Sequence, residues 1–194
     1  MDREAIIIEQ LEESIRLKGH LQENAKTIIA IADQLVQALK NGNKVLLFGN
    51  GGSAADAQHF AAELMGKFAL EREALPAIAL TTDTSVITAI SNDCSYDNIF
   101  SRQVQGLARE GDVVIGISTS GRSENVLRGM EEARRLGAIT IAFTGEGGKL
   151  RDLADHVLSV PSTDTPRIQE AHAVAGHIVC FLVEDALFNS NKHV

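Results

Sequence analysis

Two residues that can do chemistry, His59 and Glu63, lie four positions apart in FGNGGSAADAQHFAAELMGKF, residues 48–68. If this stretch is helical after its glycines, both side chains lie on one face, one turn apart. Imidazole and carboxylate at that spacing can bind a divalent metal or exchange protons with one ligand. A solvated helix face is the commoner explanation of an isolated pair, so the position of the pair in the fold must decide.

More polar residues lie among apolar ones in RIQEAHAVAGHIVCFLVE, close to the C-terminus. On a helix, Gln169 and His177 are about 12 Å apart along the axis and about 80° apart around it. One copy of this helix can therefore barely bring both to a single metal, and two copies or two subunits would do so more easily. His172 points in a different direction from His177, and we interpret it as a core histidine.

A hydroxyl-rich segment, STSGRS at residues 118–123, follows the apolar run VVIGI and precedes the helical pattern ENVLRGMEEARRLG. An N-cap needs one hydroxyl, whereas this segment has four. Hydroxyls and free backbone N–H groups at a helix start form an anion site that the helix dipole strengthens. We therefore predict that Ser118, Thr119, Ser120 and Ser123 bind a phosphate group.

The turn Asn50-Gly51-Gly52-Ser53 follows another apolar run. It is neither a Walker loop nor a G-x-G-x-x-G fingerprint, so it does not predict a nucleotide site. Its glycines would let the backbone approach a ligand closely. Ser53 and Asp56 fit the S-x-x-D capping pattern, and we assign Asp56 to the helix start rather than to chemistry.

Three other segments have simpler interpretations. Asn92 and Asp93 follow VITAIS and either bind sugar hydroxyls or make a turn. TGEGGKL is assigned as a turn, and Cys94 has no identifiable activating base, so we give it no catalytic role.

The elements that must position these residues form an alternating pattern. Five apolar runs end at turn residues and predict buried strands: KVLLFGN, PAIALTT, DVVIGIST, ITIAFTG and HVLSVPS. Helical patterns lie between them, including residues 99–108 and 123–136. The prediction is a doubly wound α/β fold with a five-stranded parallel sheet, in a single domain over residues 1–194. In such sheets ligands bind beyond the carboxyl ends of the strands, where both polar turns would lie.

Helical stretches flank this core on both sides. Residues 5–39 place apolar side chains at helical spacing, with a predicted break within residues 18–24. The last segment, residues 166–187, begins with proline, which the first helical turn tolerates. We expect residues 1–40 to form a helical arm that packs against a second chain, which would make the protein an oligomer.

Composition excludes several classes of protein. The net charge of -8 argues against a non-specific nucleic-acid binder but allows a small anionic ligand in a cleft. Two cysteines fit a reducing compartment, and MDREAIIIEQLEESIRLKGH lacks the pattern of a signal peptide. No uninterrupted apolar run reaches the ~18 residues of a membrane span. We expect a cytoplasmic protein that binds neither nucleic acid nor membrane.

Four segments together, GNGGSAADAQHFAAEL, SND, GDVVIGISTSGRSENV and TPRIQEAHAVAGH, resemble the phosphoheptose isomerases of the sugar isomerase (SIS) domain superfamily. The similarity covers nearly the whole chain in the same order. The S-T-S-G-x-S element alone identifies only a SIS domain. The narrower assignment depends on His59, Glu63, Gln169 and His177, which occupy matching positions.

The resemblance implies a flavodoxin-like homotetramer with active sites at subunit interfaces. It implies conversion of sedoheptulose 7-phosphate to D-glycero-D-manno-heptose 7-phosphate, the first step towards the ADP-heptose of lipopolysaccharide cores. Glu63 corresponds to the catalytic base and His177 to its proton-transfer partner. The family's zinc ligands, one Zn2+ per active site, correspond to His59, Glu63, Gln169 and His177. Substrate-binding positions correspond to Asn50, Gly51, Gly52, Glu63, Asn92, Asp93, Ser118, Thr119, Ser120, Ser123 and Gln169, to which we add Ser53 from the same turn.

Two rivals share the expected fold. A non-enzymatic paralogue, the replication-initiator (DnaA) associating protein, resembles NGNK, SAADAQHFAA and LPAIAL. That subfamily lacks an equivalent of the Glu63 and His177 pair, which this chain keeps. A sugar-phosphate-sensing SIS module of a regulator would need a DNA-binding extension or a basic patch, and neither is present. The enzyme is therefore favoured.

Overall fold

A computed structural model describes residues 2–189 of the chain. Residue 1 and residues 190–194, which the single-domain prediction includes, lie outside the described residues. Five parallel strands form one sheet in the order β2-β1-β3-β4-β5. The strands are β1 (Val45–Gly49), β2 (Ala77–Ala79), β3 (Val113–Ser118), β4 (Ile139–Thr144) and β5 (His156–Ser159). This order is that of a doubly wound flavodoxin-like sheet, so the predicted fold class is confirmed.

Seven α-helices and two short 3-10 helices, at Tyr96–Asn98 and Leu150–Leu153, surround the sheet within the described residues. The α-helices are α1 (Arg3–Glu23), α2 (Ala25–Lys40), α3 (Gly52–Met65), α4 (Thr84–Asp93), α5 (Ile99–Leu107), α6 (Glu124–Arg135) and α7 (Thr165–Phe188). One face of the sheet packs against α2, α3, α7 and the end of α1, and the other against α5 and α6.

The strands are apolar without alternation because helices cover both faces of the sheet. All five residues of β1 and all six of β3 are buried. Within β1, Val45 and Leu47 contribute to one core cluster, whereas Leu46 and Phe48 contribute to the other. This period of two aims successive side chains at opposite helical layers.

Helix boundaries follow the sequence pattern closely, with one correction. The break in the N-terminal arm lies at Asn24, whose side chain donates a hydrogen bond to the carbonyl of His20 at 2.9 Å. The turn interpretation of Asn92 and Asp93 is wrong, because both lie in the last turn of α4. The apolar and hydroxyl residues of VITAIS before them belong to that helix, which continues through Asn92 and Asp93. The segment between β4 and Leu150 forms the predicted turn, with Gly148 at φ +82°.

Helix α7 is the central helix of one core face. Its length and apolar composition would also fit a membrane span, and among the described residues it alone passes that test. It packs along α1, α2 and α3, however, and buries residues such as Ile168, Ala175 and Val183 in the core. The high hydropathy of α7 is therefore explained by packing inside the domain.

Candidate active site

The carboxyl edge of the sheet opens into a cavity of about 310 Å³. Three helices start there: α3 after β1, α6 after β3, and α7 after β5. The lining residues are Asn50, Gly51, Gly52, Ser53, Ile117, Ser118, Thr119, Ser123, Thr165 and Gln169. Eight of these ten are residues that the sequence predicted to bind substrate, so two polar turns far apart in sequence meet at one place.

Glycines at the first turn allow α3 and α7 to approach each other. Gly51, the N-cap of α3, has φ +56°, a conformation that residues with a Cβ rarely adopt. A Cβ at Gly52 would lie 2.3 Å from Nε2 of Gln169, so the side chain of Gln169 occupies the space that the glycine leaves. Glycine at position 51 is thus explained by the backbone conformation, and glycine at position 52 by the packing of Gln169.

The hydroxyl-rich segment lines the opposite side of the cavity. Ser118 Oγ lies 3.1 Å from Ser123 Oγ and 3.5 Å from Ser120 Oγ. Ser123 is the N-cap of α6, but its side chain makes no capping hydrogen bond. The first turn of α6 therefore keeps backbone donors for a ligand, as the anion-site prediction requires. Ser120 lies at the edge, where it lines a smaller adjoining cavity of about 190 Å³ with Arg122 and Glu146.

The capping role predicted for Asp56 is wrong. Because α3 already begins at Gly52, Ser53 and Asp56 lie inside the helix, and no side chain caps it. Asp56 Oδ2 is buried and has no hydrogen-bond partner among the described residues. Burial raises the pKa of Asp56, and the nearby imidazoles of His59 and His177 act in the opposite direction. Asp56 thus has a buried carboxylate oxygen without a hydrogen-bond partner in the described part of the chain, close to the imidazoles of His59 and His177.

His59, Glu63 and His177 form one cluster at the junction of α3 and α7. Nε2 of His59 lies 2.7 Å from Nε2 of His177 and 3.5 Å from Oε1 of Glu63. One ligand atom from each of the three lies within 4.8 Å of the other two. Two imidazoles and a carboxylate are a common donor set for divalent metals such as zinc. The cluster could hold a divalent metal or pass a proton between its members.

Helices α3 and α7 run side by side, which is why one chain supplies the whole cluster. A Cβ at Gly176 would lie 2.0 Å from the ring of Phe60, so the helices touch at this level. Gln169, eight residues before His177, contacts Gly52 at the start of α3. Gln169 thus lies beside the cavity, and the cluster lies two turns further along the same helix pair.

Several other sequence predictions can be compared with the fold. Asn92 and Asp93 are exposed on α4, hydrogen-bonded to each other at 2.8 Å, and do not line the cavity. His172 is a core histidine as expected: it is fully buried, and burial lowers its pKa to about 4. Cys180 is buried too, which raises the pKa of its thiol to about 12, so it is unreactive at neutral pH.

A buried ion pair that the sequence analysis missed supports the end of α3. Glu184 of α7 accepts hydrogen bonds from the backbone N–H groups of residues 68–70, at 2.5 to 3.0 Å, and from Arg72 Nε at 2.7 Å. Arg72 also donates to the carbonyls of Glu63 and Leu64 at 2.9 and 3.0 Å. Arg72 therefore satisfies carbonyls at the C-terminal end of α3 and ties them to α7. The sequence carried one signal for this ion pair: His177 and Glu184 are seven residues apart, which places Glu184 on the same face of α7 as a predicted site residue.

Thr165 and Asn125 were also missed. Thr165 lines the cavity at the first position of α7, where T-P signals a helix start rather than a ligand. Asn125 is buried in the first turn of α6, with its side chain hydrogen-bonded to Asn50. A polar residue inside an apolar helix face was the signal for Asn125.

The chain is similar in sequence and in fold to known proteins over most of their length. A family model described as SIS domain matches residues 11–145. The phosphoheptose isomerase of Aquifex aeolicus is 60% identical over 162 residues, which are 83% of this chain and 85% of that protein. The phosphoheptose isomerase of Nitratiruptor sp. is 59% identical over 182 residues, or 88% of this chain and 97% of that protein. The structure of phosphoheptose isomerase GmhA from Neisseria gonorrhoeae matches with a TM-score of 0.90 and 42% identity, covering 95% of this chain and all of that one (100%).

Replacing Glu184 by glutamine tests the buried ion pair. Burial opposes ionisation of Glu184, but three backbone N–H groups and Arg72 outweigh it and lower the pKa of this carboxyl. A lowered pKa stabilises the fold above the unfolded value of about 4.3, and that contribution disappears as the pH falls through the folded value. Glu184→Gln leaves Arg72 buried without a counter-charge, so we expect a loss of about 3 kcal/mol in unfolding free energy at pH 7.

Urea titrations at pH 7 and pH 3 measure this effect. The difference in stability between the two pH values should be smaller in Glu184→Gln than in the wild type. Glu132→Gln, which breaks the surface pair with Arg135, is the matched control and should change stability by under about 1 kcal/mol. Equal pH dependence in wild type and Glu184→Gln would contradict the role assigned to this pair.

Proposed function

The chain belongs to the phosphoheptose isomerases, a family of SIS-domain proteins, and we propose from this premise how its site works. The protein is an aldose–ketose isomerase that converts sedoheptulose 7-phosphate to D-glycero-D-manno-heptose 7-phosphate. The observation that supports the assignment of roles is the cluster of His59, Glu63 and His177, which lies beside a cavity with two uncapped helix starts.

The phosphate group binds at the hydroxyl-rich segment. Ser118, Thr119, Ser120 and Ser123 donate from their hydroxyls, and the start of α6 adds backbone N–H groups and the positive end of its dipole. The side chains that line the cavity of about 310 Å³ are uncharged, so the affinity for phosphate there depends on hydrogen bonds and helix ends. Anchoring the phosphate orients the far end of the sugar chain.

The sugar chain extends along the α3–α7 pair toward the cluster. Asn50, Gly51, Gly52, Ser53 and Gln169 line this path and bind its oxygens. Asn92 and Asp93 remain candidates for sugar hydroxyls from outside the cavity of a single chain.

Isomerisation moves one proton between carbons and one between oxygens. Glu63 removes a proton from C1 of the ketose, and the electron pair forms the C1–C2 double bond of an enediol. His177 moves the proton of the C1 hydroxyl to the oxygen on C2. Glu63 then returns its proton to C2, and the C1 oxygen becomes the aldehyde carbonyl. The two groups lie in one cluster, as this sequence of transfers requires.

The metal of this site is Zn2+, one per active site. His59, Glu63 and His177 would hold it. Gln169 would complete the set more easily from a second copy of α7 than from the same one, because it lies about 12 Å from His177 along the helix. Bound zinc would polarise the carbonyl and stabilise negative charge on its oxygen. Glu63 is thus assigned to both the metal set and the base, which are roles for its two carboxylate oxygens.

The active protein is a homotetramer with active sites at subunit interfaces. The exposed side of the N-terminal arm supports this: Ile7, Leu11 and Ile15, on one side of α1, are 57 to 68% exposed. An apolar groove of about 290 Å³ runs beside it, between the junction of α1 and α2 and the helix α7. The side chain of His59 is 47% exposed in one chain. A neighbouring subunit over the cluster would exclude water from it.

The reaction supplies a heptose phosphate for ADP-heptose and the lipopolysaccharide core, in the cytoplasm. The DnaA-binding paralogue has no support from the comparisons, in which the relatives named above are isomerases. The presence of both Glu63 and His177 in one cluster also favours the enzyme.

The catalytic assignment is tested by NMR of sedoheptulose 7-phosphate incubated with the protein. The wild type should form the heptose 7-phosphate, and Glu63→Gln and His177→Ala should lower kcat by about a thousandfold or more, because each removes a proton-transfer group. Both variants should stay folded and oligomeric. Glu71→Gln, an exposed carboxylate paired with Lys67, is the control and should keep full activity.

The outcomes separate the alternatives. An active Glu63→Gln variant would remove Glu63 as the base. A wild type without turnover that binds the replication initiator tightly would support the paralogue.

The metal assignment is tested by elemental analysis after gentle purification. We expect zinc near one per chain, and at least about a tenfold loss of zinc affinity in His59→Gln, because that variant loses one of the ligands. His20→Gln, a histidine on α1, is the matched control and should bind zinc like the wild type. Full activity in metal-free protein would remove zinc from the mechanism and leave the isomerase assignment intact.

The arm is tested by light scattering coupled to gel filtration. The double variant Ile7→Glu with Leu11→Glu should convert the tetramer to smaller species, because charges would lie in an apolar interface. Glu9→Gln lies on the opposite side of α1 and should leave the tetramer unchanged. A wild-type monomer would refute the role of the arm.

A further inference from the structure

Asn125 and Asn50 form a reciprocal amide pair across the cavity. Asn50 Nδ2 donates to Asn125 Oδ1 at 2.8 Å, and Asn125 Nδ2 donates to Asn50 Oδ1 at 2.9 Å. Asn125 is only 3% exposed, and these two hydrogen bonds are its side-chain contacts to polar groups in residues 2–189. The pair joins the turn after β1 to the first turn of α6, which are the two sides of the cavity.

Tyr96 adds a third hydrogen bond to the same amide. Its hydroxyl donates to Oδ1 of Asn50 at 3.0 Å. The short helix that carries Tyr96 is fixed to α6, because Arg128 donates to Oδ1 of Asn98 at 3.1 Å. Tyr96 is 53% exposed, so its ring contributes little to the core. Its polar contact is the hydrogen bond from its hydroxyl to Asn50.

These contacts use up all but one hydrogen-bonding position of Asn50. A carboxamide oxygen accepts two hydrogen bonds, and here both come from Asn125 and Tyr96. The amide nitrogen donates two, and one goes to Asn125. Among the described residues nothing else bonds to this side chain, so one N–H of Asn50 remains for the cavity that Asn50 lines.

We infer that Asn125 and Tyr96 are positioning residues, which hold the Asn50 carboxamide so that it presents an N–H donor, and no acceptor, to a substrate oxygen. This inference rests on the proposed function, because it needs the sugar phosphate in this cavity. The two amides could turn over together without losing either hydrogen bond of their pair. The Tyr96 hydroxyl can donate or accept, and in the orientation that the structure shows it donates to Oδ1 of Asn50. Only this orientation leaves an N–H of Asn50, rather than an oxygen lone pair, for the cavity.

The orientation matters because of what the substrate offers. Phosphate oxygens at neutral pH and the carbonyl oxygen of a ketose accept hydrogen bonds but cannot donate them. An inverted Asn50 would place its own oxygen against them, and two acceptors in contact repel. Asn125 and Tyr96 would thus act on substrate affinity without touching the substrate.

Steady-state kinetics with sedoheptulose 7-phosphate tests this role. Tyr96→Phe removes only the hydroxyl, and Asn125→Asp keeps the size and an acceptor but loses the donor. We expect KM to rise about threefold in Tyr96→Phe and about tenfold in Asn125→Asp, with kcat within about twofold of the wild type. In an Asn50→Ala background either substitution should change KM by less than about twofold, because the group they orient is gone.

A matched control separates orientation from folding. Gln103 is a buried amide on α5 that donates to the carbonyls of Leu80 and Ile99, both at 2.9 Å. Gln103→Leu should lower Tm and leave KM unchanged. Additive effects of Tyr96→Phe and Asn50→Ala, or KM changes that simply follow Tm, would overturn the inference while the isomerase activity stands.

A second readout does not depend on turnover. In 15N NMR spectra of the side-chain amides, one N–H of Asn50 should exchange slowly with solvent, and the other should become protected only when sedoheptulose 7-phosphate is added. Protection of both N–H protons before addition would show an inverted amide and overturn the inference. A wild type that shows the expected pattern but no turnover would overturn the proposed function alone.

Discussion

The close contact between α3 and α7 is the constraint on which the site depends. Residues on the two helices meet in order, Gly52 with Gln169, Phe60 with Gly176, and His59 with His177. An added Cβ at Gly176 would lie 2.0 Å from the ring of Phe60, and one at Gly52 would lie 2.3 Å from the amide of Gln169, whose side chain would have to move. A methyl group added at Gly176 would push α3 and α7 apart, and the imidazoles of His59 and His177 would move apart with them. Packing of an apolar core thus sets a distance between polar groups, and the ion pair of Arg72 and Glu184 fixes the far end of the same helix pair.

The cavity is assembled from groups that folding leaves without internal partners. Neither α3 nor α6 has a side-chain cap, and the serine hydroxyls mainly contact one another. In an ordinary helix these donors would be satisfied by a capping side chain, at a gain of about 1 kcal/mol each. Here the chain forgoes that gain at two helix starts next to each other. The amide pair of Asn50 and Asn125 differs from the helix starts. All but one of the donor and acceptor positions of the Asn50 side chain are hydrogen-bonded within the described residues, and one N–H donor is left.

Much of the fold could be predicted from the sequence because it depends on local pattern. The five strands and the hydroxyl-rich segment follow from apolar runs and the residues that end them. The fate of Asp56 could not be predicted, because the backbone of Gly51 starts the helix before Ser53 and leaves the capping motif inside it. Helical spacing placed His59 beside Glu63, but it could not show that His177, on a helix more than a hundred residues later, meets them. Asn125 was missed for the same reason, since its partner Asn50 belongs to another strand exit.

The uncapped helix starts have a thermodynamic consequence for the whole molecule. A bound phosphate would fill the place of the absent cap, so occupancy of the cavity and stability of the domain are linked quantities. A ligand that binds only the folded state at a hundred times its Kd adds about 2.7 kcal/mol to unfolding free energy. The empty enzyme would be the less stable form, and substrate supply in the cell would tune the lifetime of the protein as well as its flux.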